Sequence, residues 1–118
     1  MKDRDIYILK SIIEYCKQID QAVERFGDSF IVFRNNVVYR NACSMCILQI
    51  GELTNKLSEE SQLMSSTTPW REFRDIRNMF AHAYSKTSIP RTWKTLKDEI
   101  PSLRSECERI LKIIDIKN

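Results

Sequence analysis

The sequence predicts an all-α fold, an up-and-down bundle of four to five helices, on three grounds. Apolar residues recur at steps of three and four over long stretches, which keeps one stripe on one helix face. Only 2 Gly and 3 Pro occur in 118 residues, few for the turns that strands would need. The balance of 42% hydrophobic and 30% charged residues suits amphipathic helices around one core, so residues 1–118 are read as one domain.

The clearest stripe runs Ile6, Leu9, Ile13, Cys16, Ile19, Val23 and Phe26. Asp3 is placed to cap that helix and Gly27 to end it, with Asp28 and Ser29 offering side-chain oxygens to the next turn. A short connection through Phe30 and Phe33 follows. A second long helix is expected from Asn35 or Asn36 to about Leu57. Its middle, NACSMCILQIGEL, has apolar residues all around, so it must be covered on more than one side. Either it is the central core helix, or one side meets a second copy of the chain, and the second reading is preferred. Gly51 permits close approach of a neighbour, and Glu52 is then a carboxylate near the interior; the alternative is a solvent-exposed Glu52.

Ser58 offers a stop and a new cap, and SEESQLMSSTT reads as a polar connector with a short helix from Glu59 to Met64. Thr68 as cap, Pro69 at the first helical position and Glu72 in the first turn then start the next helix at Trp70. On a wheel of about 100° per residue, Phe73, Ile76, Phe80 and Ala83 form its buried stripe. Beyond the loop SKTSIP, with Ser88 as cap and Pro90 near the helix start, a last stripe runs Trp93, Leu96, Ile100, Leu103, Cys107, Ile110 and Ile114. Pro101 disfavours helical geometry at Ile100, so a kink or break is expected there.

The formal net charge of +3, from 19 Lys+Arg against 16 Asp+Glu, does not by itself mark a nucleic-acid binder. The N-terminus lacks a signal-peptide pattern and no stretch approaches a membrane span, so a cytoplasmic protein with no membrane association is expected. Cys16, Cys43, Cys46 and Cys107 are spread through helices and read as reduced thiols. Cys43 and Cys46 form CxxC, which could seed zinc or redox chemistry. With no second CxxC and one His, core filling is the preferred reading and no metal site is expected.

RNMFAHAY, residues 77–84, holds the only histidine. Arg77, His82 and Tyr84 place a permanent cation, a group that titrates near neutrality and a phenol within about two helical turns, a set suited to phosphate chemistry. The plain alternative is a structural histidine on a solvated helix. Arg77 and Tyr84 lie in line at the edge of the buried stripe, whereas Asn78 and His82 lie in line on the more exposed side. Arg77 and His82 therefore do not converge on one straight helix. They serve one site only if Arg77 reaches around, the helix ends near His82, or a two-fold partner supplies the missing half. Arg71, Arg74 and Arg77 climb the helix in steps of three, and Lys86, Arg91, Lys94 and Lys97 add positive charge nearby in sequence.

RNAC, IGEL, TPWREFRDIRNMFAHAY and IPRTWKTLKDEIPSLRSECERIL together resemble the HepT-like proteins of the HEPN superfamily, over about residues 35 to 114. The most specific matches are Pro69 and Trp70, then Arg77, Asn78, His82 and Tyr84; Gly51 and Glu52 are supporting. The resemblance implies a helical-bundle homodimer that acts as a metal-independent endoribonuclease, the toxin of a type VII pair with a minimal nucleotidyltransferase (MNT) antitoxin. It implies His82 in proton transfer and Arg77 in phosphate binding and charge stabilisation. Asn78, Arg74 and Glu52 support or position, and Tyr84 accepts AMP from the antitoxin. No cofactor is implied. The second reading is a non-catalytic HEPN module that binds a nucleotidyltransferase partner or a nucleotide, with His82 structural.

Overall fold

Seven α-helices and one π-helical turn make up the fold in a computed structural model that describes the backbone of residues 2–83 and 89–117 and the side chains of residues 3–76 and 89–115. They are α1 (Lys2–Phe26), α2 (Phe30–Asn35), α3 (Val37–Lys56), α4 (Glu59–Leu63), α5 (Trp70–Ala83), α6 (Ile89–Lys94), the π-turn (Thr95–Glu99) and α7 (Ile100–Lys117). No strand occurs among the described residues, so the all-α expectation holds. The four long helices build the bundle: α3 packs against both α1 and α5, and α1 packs against α7.

That arrangement explains the patterns in the sequence. The buried face of α1 comprises Ile8, Leu9, Ile12, Ile13, Cys16 and Ile19, wider than the one-stripe reading, because α1 meets helices on two sides. Asp3, read as a cap, lies inside the first turn of α1. Gly27 ends the helix with φ 121°, a backbone conformation that L side chains rarely adopt. The connection through Phe30 and Phe33 is itself the helix α2, capped by Ser29, whose hydroxyl accepts from the Val32 N–H. Phe33 is fully buried against Tyr39 and Trp93, and this aromatic contact holds α2 in place.

Asn36 caps α3 as expected, its Oδ1 accepting from the Tyr39 N–H at 3.0 Å. The core-helix reading of α3 is met by burial of Tyr39, Cys43, Ser44, Cys46, Ile47, Ile50, Gly51 and Thr54. Yet Val37, Val38 and Met45 remain 56%, 61% and 56% exposed, so one side of α3 is uncovered within the chain. Tyr39 donates its hydroxyl to the Gly27 carbonyl at 3.0 Å, tying α3 to the end of α1. Burial pushes its phenol up to about 12, with Cys43 and Asp28 adding to the shift. Tyr39→Phe is expected to lower stability by about 1 kcal/mol, the net worth of one such hydrogen bond, read as a shift in urea midpoint at constant slope.

Ser58 both caps α4 and joins a buried polar cluster that was not visible in the sequence. Asp5, only 5% exposed, accepts from the Ser58 N–H at 3.2 Å, the Ser61 hydroxyl at 2.6 Å and the Ser58 hydroxyl. Burial pushes the Asp5 carboxyl up, but these donors outweigh it and hold its pKa below the usual carboxylate value. A carboxyl with a lowered folded-state pKa stabilises the fold above its unfolded pKa. That contribution is lost as pH falls through the folded value. Asp5→Asn should therefore cost about 1–3 kcal/mol at neutral pH and flatten the acid limb of a stability-versus-pH curve, measured by urea unfolding from neutral to acid pH.

At the other end of the chain, Leu96, Ile100, Leu103, Cys107, Ile110 and Ile114 are buried as their spacing predicts. Where a kink or break is expected near Pro101, the α-helix is interrupted by a π-turn: the Ile100 N–H reaches back five residues to the Thr95 carbonyl. The wider turn just before Pro101 lets α6 continue into α7 despite the proline's missing N–H and its ring. Pro90 lies in the first turn of α6, and Ser88 lies outside the described residues.

Candidate functional site

The site is built on α5, and its geometry begins with how that helix is seated. Trp70 is 7% exposed, and its indole N–H donates to the carbonyls of Gln62 at 3.0 Å and Ser65 at 3.1 Å. Helical hydrogen bonding starts at the Pro69 carbonyl, which accepts from Glu72 and Phe73. Thr68, expected to cap the helix, shares its hydroxyl with Ser65 Oγ instead. Ser65 also donates to Glu106 at 2.6 Å, and Arg109 of α7 donates to the Met64 carbonyl at 2.6 Å. The turn that launches α5 is thus held by α4 on one side and α7 on the other. Phe73 and Ile76 are buried, as the wheel places them.

From this anchor α5 runs as an α-helix through Ala83 and carries the backbone of Arg77, Asn78 and His82. Five residues apart on a regular helix, Arg77 and His82 stand roughly 140° apart around the axis. Their side chains lie outside the described residues, as do Phe80 and Ala83, and Tyr84 lies outside them altogether. Glu52 on α3, the helix that packs along α5, is half-buried and has a partner, so the fully solvated alternative does not hold.

The charge around α5 is distributed unevenly. Arg71 is exposed and Arg74 half-buried. The Nε of Arg74 is buried with no hydrogen-bond partner. Glu72 and Asp75, on the opposite edge, line a shallow groove with Ile76 and Arg91. The lysines and arginines after the motif contribute less positive charge than their sequence proximity suggests. Arg91 is paired with Glu99, and Lys97 with Asp28 at 2.7 Å while lying over the Trp93 ring. Lys94 is exposed, and Lys86 lies outside the described residues.

The four cysteines are core residues. Burial pushes the thiols of Cys16 and Cys43 up to about 12 and raises those of Cys46 and Cys107, so all stay protonated at neutral pH and are poor nucleophiles. The CxxC of Cys43 and Cys46 therefore fills space, as its apolar helix suggested. Among the described residues no cluster of three His, Cys, Asp or Glu could hold a metal ion. Nor is any helix among them long and apolar enough to cross a membrane.

Comparison with known proteins bears on α5 directly. The model of the family described as "Ribonuclease HepT-like" matches residues 12–110. Over 119 aligned residues the chain is 29% identical to a "Putative RNase" of Methanocaldococcus jannaschii, covering 100% of this chain and 97% of that protein. It is 33% identical over 63 residues to the "Probable ribonuclease HepT" of Thermococcus cleftensis, covering 53% of this chain and 57% of that one. A "Putative RNase" of Caldanaerobacter subterraneus subsp. tengcongensis is 29% identical over 104 residues, covering 88% of this chain and 91% of its own. No solved structure matches the chain at a significant level. The family match begins inside α1, ahead of the stretch where the motifs alone carry a likeness, and ends inside α7, so it takes in α3 and α5 whole. The chain belongs to the HepT-like ribonuclease family.

Proposed function

We propose that the chain is a metal-independent endoribonuclease, the toxin of a type VII toxin–antitoxin pair. The observation that carries this reading is the family match across α5, the helix that bears Arg77, Asn78 and His82 and is locked in place at Trp70. The names of the relatives, which speak of ribonucleases, agree with it.

In the reaction, the ribose 2′-OH attacks the adjacent phosphorus and the bond to the 5′-oxygen of the next nucleotide breaks. The products are a 2′,3′-cyclic phosphate and a 5′-OH. His82 moves the proton, since an unperturbed imidazole exists in both forms near neutral pH. Arg77 holds the phosphate with a planar fork that stays charged and stabilises the extra charge of the transition state. Asn78 orients the phosphate, and Glu52 supports from α3. Because Arg77 and His82 diverge on one helix, the cleft is composed from two chains, with the α5 helices of a homodimer facing each other. The uncovered apolar positions Val37, Val38 and Met45 are a further reason to expect a second copy.

The antitoxin, an MNT-type nucleotidyltransferase, transfers AMP to Tyr84, placing bulk and negative charge where RNA phosphates bind. Cleavage of single-stranded RNA by the purified protein in the presence of a chelator, with 2′,3′-cyclic phosphate ends, is the expected result. Cleavage that needs added metal, or that leaves 3′-OH ends, overturns the mechanism. Mass spectrometry after incubation with the adjacent-frame nucleotidyltransferase and ATP should place AMP on Tyr84; modification confined to other residues excludes it as the acceptor.

A further inference from the structure

One exposed stripe of α1 has a two-fold order in its chemistry. Glu14, Gln18, Gln21 and Arg25 are all exposed and follow one another at steps of four, three and four. At about 100° per residue these steps keep the four side chains within roughly 60° on one face of the helix. Their midpoint falls between Ile19 and Asp20, with a glutamine on either side of it. Farther out, at equal distances from that midpoint, stand a carboxylate and a guanidinium, roughly 16 Å apart along the axis.

The fold sets this stripe beside an uncovered apolar strip. All four residues line a groove of about 640 Å³ between α1 and α3, together with Ala22 and Phe26 of α1 and Ala42 and Met45 of α3. Met45 is 56% exposed, so the apolar part of the groove meets solvent in a single chain. No residue of α5 lines it. Among the described residues neither Glu14 nor Arg25 has an opposite charge within reach in its own chain. Asp20, on another face of the same helix, is held by Arg104 of α7 at 2.7 Å.

Going beyond the RNA chemistry, we propose that the α1–α3 groove is a two-fold interface with a second copy of this chain, in which the two α1 helices lie antiparallel. In such a contact position i meets j wherever j meets i. An axis through the midpoint of the stripe sets Glu14 of each copy level with Arg25 of the other, and Gln18 level with Gln21. A parallel pairing sets carboxylate against carboxylate and guanidinium against guanidinium, which is repulsive at both ends. The antiparallel contact covers Met45 and Ala42 with the facing helix and gives both outer charges a partner. It is separate from the contact between α5 helices that composes the proposed cleft. With both contacts present the chain assembles beyond a dimer.

The test is sedimentation equilibrium of the full chain over a concentration series. Glu14→Arg and Arg25→Glu each place like charges face to face at both ends, because a two-fold repeats every substitution, and each should weaken self-association by about tenfold or more. An equal mixture of the two variants carries opposite charges at both ends and should recover the association, as should the double variant. Lys112→Glu changes the net charge as Arg25→Glu does but lies on α7, off this groove, and should leave association at the parent level. These positions are exposed, so each variant should melt with the parent. A parent chain that stays monomeric, single variants that associate like the parent, a mixture that does not recover, or an equal loss in Lys112→Glu overturns the proposal. A single variant that associates like the parent but no longer binds the nucleotidyltransferase gives the groove to that partner and overturns it too. RNA cleavage per chain should persist in the single variants, and a rate that falls with association overturns the separation of this contact from the cleft. Failure of the parent to cleave RNA removes the ribonuclease reading and leaves the sedimentation result standing on its own.

Discussion

His82→Ala is expected to lower the single-turnover rate of RNA cleavage by about 10²–10⁴-fold, the range that positioned acid–base catalysis supplies. Affinity for the strand should change little, because the proposed mechanism gives phosphate binding to Arg77 and not to His82. The pH profile makes the test sharper. The chain has 1 His, and burial pushes the cysteine thiols well above neutrality. Its unperturbed pKa makes His82 the side chain suited to titrate near neutrality, so an inflection there in the wild-type rate should vanish with the imidazole. Cleavage at the parent rate in His82→Ala would remove the assignment, and tight nucleotidyltransferase binding without cleavage would favour the non-catalytic module.

Trp70→Ala is expected to have the largest effect on stability, a loss of about 3–5 kcal/mol measured by urea unfolding. The indole fills the space under the start of α5 and satisfies the carbonyls of Gln62 and Ser65. Truncation leaves a cavity and removes a donor shared by two carbonyls, against a total stability of about 5–15 kcal/mol for an ordinary domain. Trp70→Phe separates the two contributions: the ring is largely retained and only the N–H is lost, so a cost nearer 1 kcal/mol is expected. A cost below about 1 kcal/mol for Trp70→Ala would show that the turn from Ser65 to Pro69 is not held from α4.

Both predictions concern a helix whose start at Trp70 and buried residues Phe73 and Ile76 were legible in the residues, while its surroundings were not. Phe73 and Ile76 lie where a 3.6-residue period places them, and Asn36, Ser58 and Gly27 punctuate the chain as their side chains or lack of one dictate. Thr68 departs from its cap position because its hydroxyl has two available partners, and the choice of Ser65 depends on where α4 packs. The connection through Phe30 and Phe33 was too short for periodicity to declare a helix. Contact of Phe33 with Tyr39 and Trp93, 6 and 60 residues away in the chain, holds it as one.

Helical class, the positions of the long helices, the core filling of the cysteines and the divergence of Arg77 from His82 follow from the order of side chains, since each depends on spacing within one segment. Tertiary packing alone decided that Asp5 would meet Ser58 and Ser61, that Pro101 would be absorbed by a π-turn, and that Glu52 would be half-buried. It also decided that Arg91 and Lys97 would be neutralised while Arg74 kept an unpaired Nε. Spacing fixes which face a residue occupies, whereas burial and the supply of partners are set by whichever distant element comes to lie against that face.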